Sequence, residues 1–275
     1  MPTSSSTACD DVRPGRVWLP VALWSAGILF VLGLAWIGAT AYRLHRIEDV
    51  LVAEIAPRPG SLWFPDLRGA ARKLGGPDRT LGGLRLYLRL GRPYRAEAIK
   101  LLAACGRPAV PDLIGYLPSP EIQDRVAAMT ALREIGPDAV EALPDVVAIV
   151  RDAELPAERC FAISCLYHIG CGSPEAVSAM TAALHDRATE VVCHAAIELR
   201  RMGPASASAV PALAELLTHP EAGVREAAAA GLEGIGPQAA SAVPALRAVL
   251  NDPAAEVRTQ AAAALKRIDP GVACE

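Results

Sequence analysis

The sequence predicts an all-α fold: one N-terminal transmembrane helix followed by a superhelix of stacked helical hairpins. Three observations carry this reading. Gly136, Gly170, Gly203 and Gly236 follow one another at intervals of 34, 33 and 33 residues. Each is preceded, at fixed distances, by the same set of apolar residues. The stretch from Val17 to Tyr42 contains no charged residue. Composition agrees, with 52% hydrophobic but only 4% aromatic residues, because Ala and Leu favour helices whereas strands favour β-branched and aromatic side chains.

Residues 1–16 form a polar tail. Residues 17–42 are long enough to cross a hydrocarbon layer of roughly 30 Å, which takes about 20 helical residues. Trp18 stands near one end of this run, Trp36 and Tyr42 near the other, where interfacial aromatics belong. Arg13 and Arg16 precede it, and Arg43 and Arg46 follow. Ala39-Thr40-Ala41 would serve as a signal-peptide cleavage site, giving an exported soluble form as the alternative. The usual apolar core of a signal is about 7–15 residues, so an uncleaved single-pass anchor is the preferred expectation. Seven Cys, an odd number without paired spacing, suit free thiols in a reducing compartment. They place the C-terminal body in the cytoplasm.

Charge divides the remainder. Residues 43–107 hold 13 Lys/Arg against 6 Asp/Glu, a net of +7, and residues 108–275 hold 12 against 22, a net of −10. The basic stretch, with a juxtamembrane helix or linker over 43–62, suits anionic lipid headgroups. The acidic body repels nucleic acid, which is not expected as a partner.

The repeat follows. Eight residues before each glycine or its equivalent stands Ala (Ala98, Ala128, Ala162, Ala195, Ala228, Ala261). Four before it stands Leu (Leu102, Leu132, Leu166, Leu199, Leu232, Leu265), and one before it Cys105, Ile135, Ile169, Met202, Ile235 or Ile268. This spacing puts all three on one helix face. Glycine is expected as a left-handed cap, and the Pro after most of these positions stops the helix. The partner helix of each pair opens at Val110-Pro111, Leu143-Pro144, Val210-Pro211 or Val243-Pro244, since Pro is tolerated in a first turn. Such hairpins have no core of their own and must stack. Residues 63–106 read as a degenerate capping unit, 107–269 as five repeats and 270–275 as a tail.

The run Ala242-Val243-Pro244-Ala245-Leu246, then Asp252-Pro253, Glu256-Val257-Arg258, Ala263-Ala264-Leu265 and Ile268 resembles the HEAT-repeat family in its short bacterial form, the phycobilisome-lyase HEAT-like repeats. The resemblance implies a right-handed α-α solenoid. It also implies a ladder of turn acids and following arginines between repeats: Asp152, Asp186 and Asp252 with Arg95, Arg125, Arg159, Arg225 and Arg258. Val192, Ser119 and His219 depart from that pattern. The ladder is expected to fix stacking rather than to contact ligand.

Relatives in this family resemble hydroxylases that hold two irons with His-Glu pairs, bilin lyases and DNA glycosylases. No His-Glu dipeptide occurs here; the histidines are His45, His168, His185, His194 and His219, at unrelated repeat positions. Cys160 and Cys193 fall at equivalent places with Cys165 and Cys171 nearby, but no C-x-x-C spacing exists. No catalytic residue, metal ligand or cofactor is therefore expected, and an enzyme or enzyme accessory of the lyase-like kind is the alternative function. The leading expectation is a membrane-anchored scaffold for protein partners. Its concave surface would carry Arg133, Glu134, Tyr167, His168, Arg200, Arg201, Glu233, Lys266 and Arg267, just before each glycine position.

Overall fold

The structure, a computed structural model, describes the backbone of residues 18–55, 66–91, 93–170 and 172–269, and side chains from residue 32 onward except 54 and 55. The described residues are helical, with no β-strand among them. Contacts divide the chain into Met1–Arg46 and Ile47–Glu275, and each is described by itself.

In the first unit, α1 (Trp18–Val50) begins at the apolar run and passes without interruption into the basic neck. Its described side chains leave Leu32, Leu34, Trp36, Ile37 and Tyr42 exposed. The transmembrane span expected over 17–42 is not supported by the described residues. Among them, no helix is long and apolar enough to cross a membrane, because the part with described side chains carries Arg43, Arg46, Glu48 and Asp49. The side chains of residues 18–31, and the whole of the tail 1–16, of the linker from 56 to 62 and of the tail 270–275, lie outside the described residues.

In the second unit, a π-helical turn (Leu51–Ile55) is followed by α2 (Leu67–Lys73), α3 (Pro77–Arg89) and α4 (Arg95–Leu101). The Asp66 carboxylate accepts from the Gly69 N–H at 2.8 Å and starts α2, satisfying one of the donors a helix leaves open. Five hairpins follow. They are α5 (Val110–Ile114) with α6 (Ile122–Ile135), α7 (Leu143–Asp152) with α8 (Pro156–Ile169), α9 (Pro174–Ala183) with α10 (Thr189–Met202), α11 (Val210–Leu216) with α12 (Ala222–Ile235), and α13 (Val243–Ala248) with α14 (Ala255–Ile268).

Between hairpins the chain does not use the left-handed cap expected from the glycines. Gly136, Gly203 and Gly236 have φ of 72°, 64° and 72° with ψ of −139°, −137° and −140°. That conformation is open essentially to glycine alone. It turns the chain directly into a 3₁₀ segment, as in Gly136–Ala142. Gly170 is the exception at φ −122°, and Gly172 takes the positive φ of 82° instead.

The apolar set is the core. Ala98, Ala128, Ala162, Ala195, Ala228 and Ala261 are fully buried, as are Leu102, Leu132, Leu166, Leu199 and Leu232. Each such Leu is worth about 1.5–3 kcal/mol of burial. Small side chains let the second helices of successive hairpins pack on one another throughout, α4 on α6, then α8, α10, α12 and α14. The first helices pack on one another less closely: α7 meets α9 directly, while α5, α9 and α11 meet the 3₁₀ segments that lead into the next first helix. The second helices therefore form the tighter, inner layer of the stack. Within it α10 and α12 approach closely at Gly234, where an added Cβ would lie 2.4 Å from the Arg200 carbonyl oxygen.

Candidate protein-binding surface

The ladder arginines stitch the hairpins together through two sets of contacts. One nitrogen, Nη1, donates to the carbonyls six and five residues back. Arg125 reaches Ser119 and Pro120 this way, Arg159 reaches Ala153 and Glu154, Arg225 reaches His219 and Pro220, and Arg258 reaches Asp252 and Pro253. The remaining Nε/Nη2 fork grips a carboxylate of the next hairpin. Arg159 holds Asp186 at 2.7 and 2.7 Å, and Arg225 holds Asp252 at 2.7 and 2.8 Å. These are bidentate pairs of the geometry that suits guanidinium to carboxylate.

Arg125 instead grips Glu158, with Nη2 at 2.9 Å, and Arg95 holds Asp124 at 2.7 Å. Asp152, expected in the ladder, lies outside it. It pairs with its neighbour Arg151 at the surface, with side chains 72% and 61% exposed for arginine and aspartate. The reason is register. The carbonyl that caps Arg159 belongs to Ala153, so Ala153 holds the place of Ser119, His219 and Asp252. The 34-residue interval adds one residue to this repeat, and Glu158 supplies the missing acid.

The turn position has a second task that explains its departures. Asp186 and Asp252 each accept from the N–H two residues on, at 2.9 Å. Ser119 and His219 Nδ1 do the same for Glu121 at 3.3 Å and Glu221 at 3.1 Å. All four side chains bring an acceptor to that point. Burial pushes the Asp186 carboxyl up, but the bonds from Arg159 and the Ala188 N–H outweigh it and hold the group below its ordinary value. Asp252 is held low first by Arg225.

The surface near the extra residue is concave. Beside it an open groove of about 940 Å³ runs past Ile114, Leu117, Ile122, Ile149 and Leu155.

On the inner layer, α8 lies between two stacked arginines. The Arg133 guanidinium of α6 sits 5.2 Å from the Phe161 ring centre, and that of Arg201 on α10 sits 4.1 Å from Tyr167. Tyr167 and His168 meet edge-to-face at 5.1 Å, and His168 Nδ1 lies 2.9 Å from the Ser164 carbonyl. Arg201 is pinned from below. Its Nη1 donates to both oxygens of Glu198 at 3.0 and 2.8 Å. Glu198 is buried and receives Ser164 Oγ at 3.4 Å, with His194 Nε2 3.8 Å away.

Of the residues expected on the concave surface, Arg133, Tyr167, His168 and Arg201 gather around α8. Arg200 is engaged with Glu233 at 2.9 Å, which also accepts from Gln260 at 2.9 Å. Glu134 is exposed and lines a separate cavity with Arg68, Lys100 and Asp138. Lys266 and Arg267 are exposed at the end of α14, away from that group. Phe161 and Glu198 are not among the residues expected from the sequence, and His194 is named there only among the histidines. Glu198 had a signal: it stands five before Gly203, where other repeats place Ala131, Cys165, Gly231 or Ala264.

The described cysteines Cys105, Cys160, Cys165 and Cys193 are free. Burial pushes the thiols of Cys105 and Cys165 up, to about 11 and about 12. Among the described residues, no three His, Cys, Asp or Glu side chains gather so as to hold a metal ion.

This geometry defines a solenoid of helical hairpins tied by an arginine–carboxylate ladder. The family described as HEAT repeats matches residues 143–233 and 210–274, which runs from α7 past the end of α14. No curated protein matches the chain. Solved structures similar to it include an engineered protein of the Northeast Structural Genomics Consortium, 23% identical, with a TM-score of 0.47 over 76% of this chain and 98% of that one. The complex of CpcE and CpcF of phycocyanin lyase from Nostoc sp. is 24% identical, with a TM-score of 0.45 over 57% of this chain and 98% of that one. A computationally designed armadillo repeat protein for modular peptide recognition is 19% identical, with a TM-score of 0.45 over 82% of this chain and 99% of that one.

Proposed function

We propose that this protein is a scaffold that captures a protein partner on its inner helical layer, held at a membrane by residues 17–42, with no catalysis of its own. One observation carries the proposal. Near-identical backbones present unlike side chains side by side on α6, α8 and α10, with Arg133, Tyr167, His168 and Arg201 converging around one helix. Buried aromatics and arginines with fixed geometry are the groups that dominate protein interfaces.

The anchor draws support from the charge-free run 17–42 and from the exposed Leu32, Leu34, Trp36, Ile37 and Tyr42 on α1. So large an apolar surface on one helix is stable in water only when something covers it. An anchor also raises the local concentration of scaffold and partner. The basic neck then sits against anionic headgroups, with the acidic body in the cytoplasm.

Cross-linking and pull-down from a solubilised membrane fraction test the surface. Arg201→Glu, with its helicity checked by circular dichroism, should lose the partner that the unaltered protein captures. Equal recovery by both would refute the inner-layer assignment. Alkaline extraction tests the anchor: the chain should stay with the membrane, and release, or an N-terminus beginning after Ala41, would establish the cleaved, soluble alternative.

A further inference from the structure

We infer that the surface of α8 between Arg133 and Arg201 is a receptor for the carboxylates of an acidic peptide segment. This rests on the protein-interaction reading above and names the chemistry of the partner. Phe161 and Tyr167 are six residues apart on α8. At 100° per residue they point about 120° apart around the helix and lie about 9 Å apart along the axis. Each ring meets one arginine, so α8 carries a guanidinium over each of two rings.

A guanidinium held over a ring face by cation–π attraction can still donate through its N–H edges. Among the described residues, Arg201 donates only through Nη1, to Glu198. Among the described residues, no hydrogen bond engages its Nε and Nη2 or the Arg133 guanidinium. A planar fork with two open N–H groups matches a carboxylate. Glu198 is the positioning residue. It is 3% exposed, occupies a place that other repeats give to a small side chain, and holds Arg201 against Tyr167 before any ligand arrives. Such pre-organisation removes ordering entropy from binding.

Local charge points the same way. Residues 108–275 carry a net −10, yet Glu198 is already matched by Arg201 and Glu233 by Arg200. Arg133 therefore remains, among the described residues, a cation beside α8 with no carboxylate partner, and Arg201 keeps two donor edges beyond its pair with Glu198. At contact range these guanidinium edges favour a carboxylate, while the net −10 of residues 108–275 disfavours the long polyanion of a nucleic acid.

Fluorescence anisotropy on the full chain in non-ionic detergent tests the inference. The probe is a labelled short peptide with Glu at every second position, compared with its Gln and Lys counterparts. The Glu peptide should bind at least roughly tenfold more tightly than the Gln peptide, the size of one lost charge-assisted contact. Arg201→Gln and Arg133→Gln should each remove most of that difference, Glu198→Ala should reduce it, and Arg151→Gln on the outer helix α7 should leave it intact.

Equal binding of Glu and Gln peptides, preference for Lys, or indifference to Arg201→Gln would overturn the inference. Binding of phosphatidylserine vesicles or inorganic phosphate, but not the Glu peptide, would do so too. If Arg201→Gln abolishes partner capture yet no Glu peptide binds, the scaffold reading stands and the carboxylate chemistry fails. If neither depends on Arg201, both fall.

Discussion

Val192 and His219 occupy, 27 residues apart, the two positions that Arg159 with Asp186 and Arg225 with Asp252 fill in the neighbouring repeats. Base and acid are lost together. The ladder is thus interrupted without leaving a buried charge unpaired, which would be costly. His219 retains the other task of its position, accepting from the Glu221 N–H.

The rung should be restorable. Val192 is buried, so Val192→Arg alone is expected to destabilise by about 3 kcal/mol through an unpaired guanidinium. His219→Asp alone should change stability by less than about 1 kcal/mol, because aspartate also accepts from the turn N–H. Combined, the two should recover at least about 1 kcal/mol of coupling. A urea double-mutant cycle on the full chain in mild detergent measures it, and strict additivity would show that no rung forms.

Asp186 gives the ladder a pH dependence with a defined sign. Its folded-state carboxyl is held below the ordinary value, so the unfolded chain binds the proton more readily. The pair's stabilisation is present above the unfolded aspartate pKa of about 3.9 and is lost as pH falls through the folded value. The Arg159 and Asp186 side chains are 3% and 12% exposed. Arg159→Leu should therefore lower stability at pH 7 by about 3 kcal/mol, the lower end for breaking a buried pair. Melting curves of wild type and variant should converge as pH is lowered below about 4; a constant gap would mean that Asp186 is not what Arg159 stabilises.

Thiol reactivity should follow burial. With their pKa pushed to about 11 and about 12, Cys105 and Cys165 hold almost no thiolate at neutral pH, and thiolate is the reactive form. Cys160 and Cys193 are half-buried and less strongly raised. Timed iodoacetamide labelling at pH 8, read by peptide mapping, should modify Cys160 and Cys193 first and reach Cys165 only on unfolding. Early alkylation of Cys165 would contradict the packing of α8 against α6, where its sulfur meets the Met129 carbonyl at 3.5 Å.

The parts of the fold that every hairpin repeats were legible in the sequence. Ala228 and Leu232 meet the same steric demand as Ala195 and Leu199, so spacing alone exposes them. What occurs once was harder to read. The added residue near Ala153 moves the turn acceptor out of register, and counting from Pro144 lands on Asp152. Glu198 breaks a column of small residues and could have been noticed as a misfit. The stacking of Arg133 on Phe161 and of Arg201 on Tyr167 depends on how far adjacent helices slide past each other, which no periodicity in one chain reports.

Two glycines of α12 separate packing from propensity. At Gly234 an added Cβ would fall 2.4 Å from the Arg200 carbonyl oxygen and 2.7 Å from its Cα. Those atoms are backbone and yield only if α10 and α12 move apart. At Gly223, exposed in the first turn of the same helix, nothing lies within 4 Å. Alanine favours a helix by up to about 1 kcal/mol over glycine. Gly223→Ala should therefore stabilise by about 0.4–1 kcal/mol, while Gly234→Ala should destabilise by about 1–3 kcal/mol through overpacking. Because Arg200 and Arg201 lie in the last turn of α10, the second change should also weaken capture of any partner on the inner layer. Equal stabilisation by both in urea titrations would mean that the two helices do not approach as closely as this.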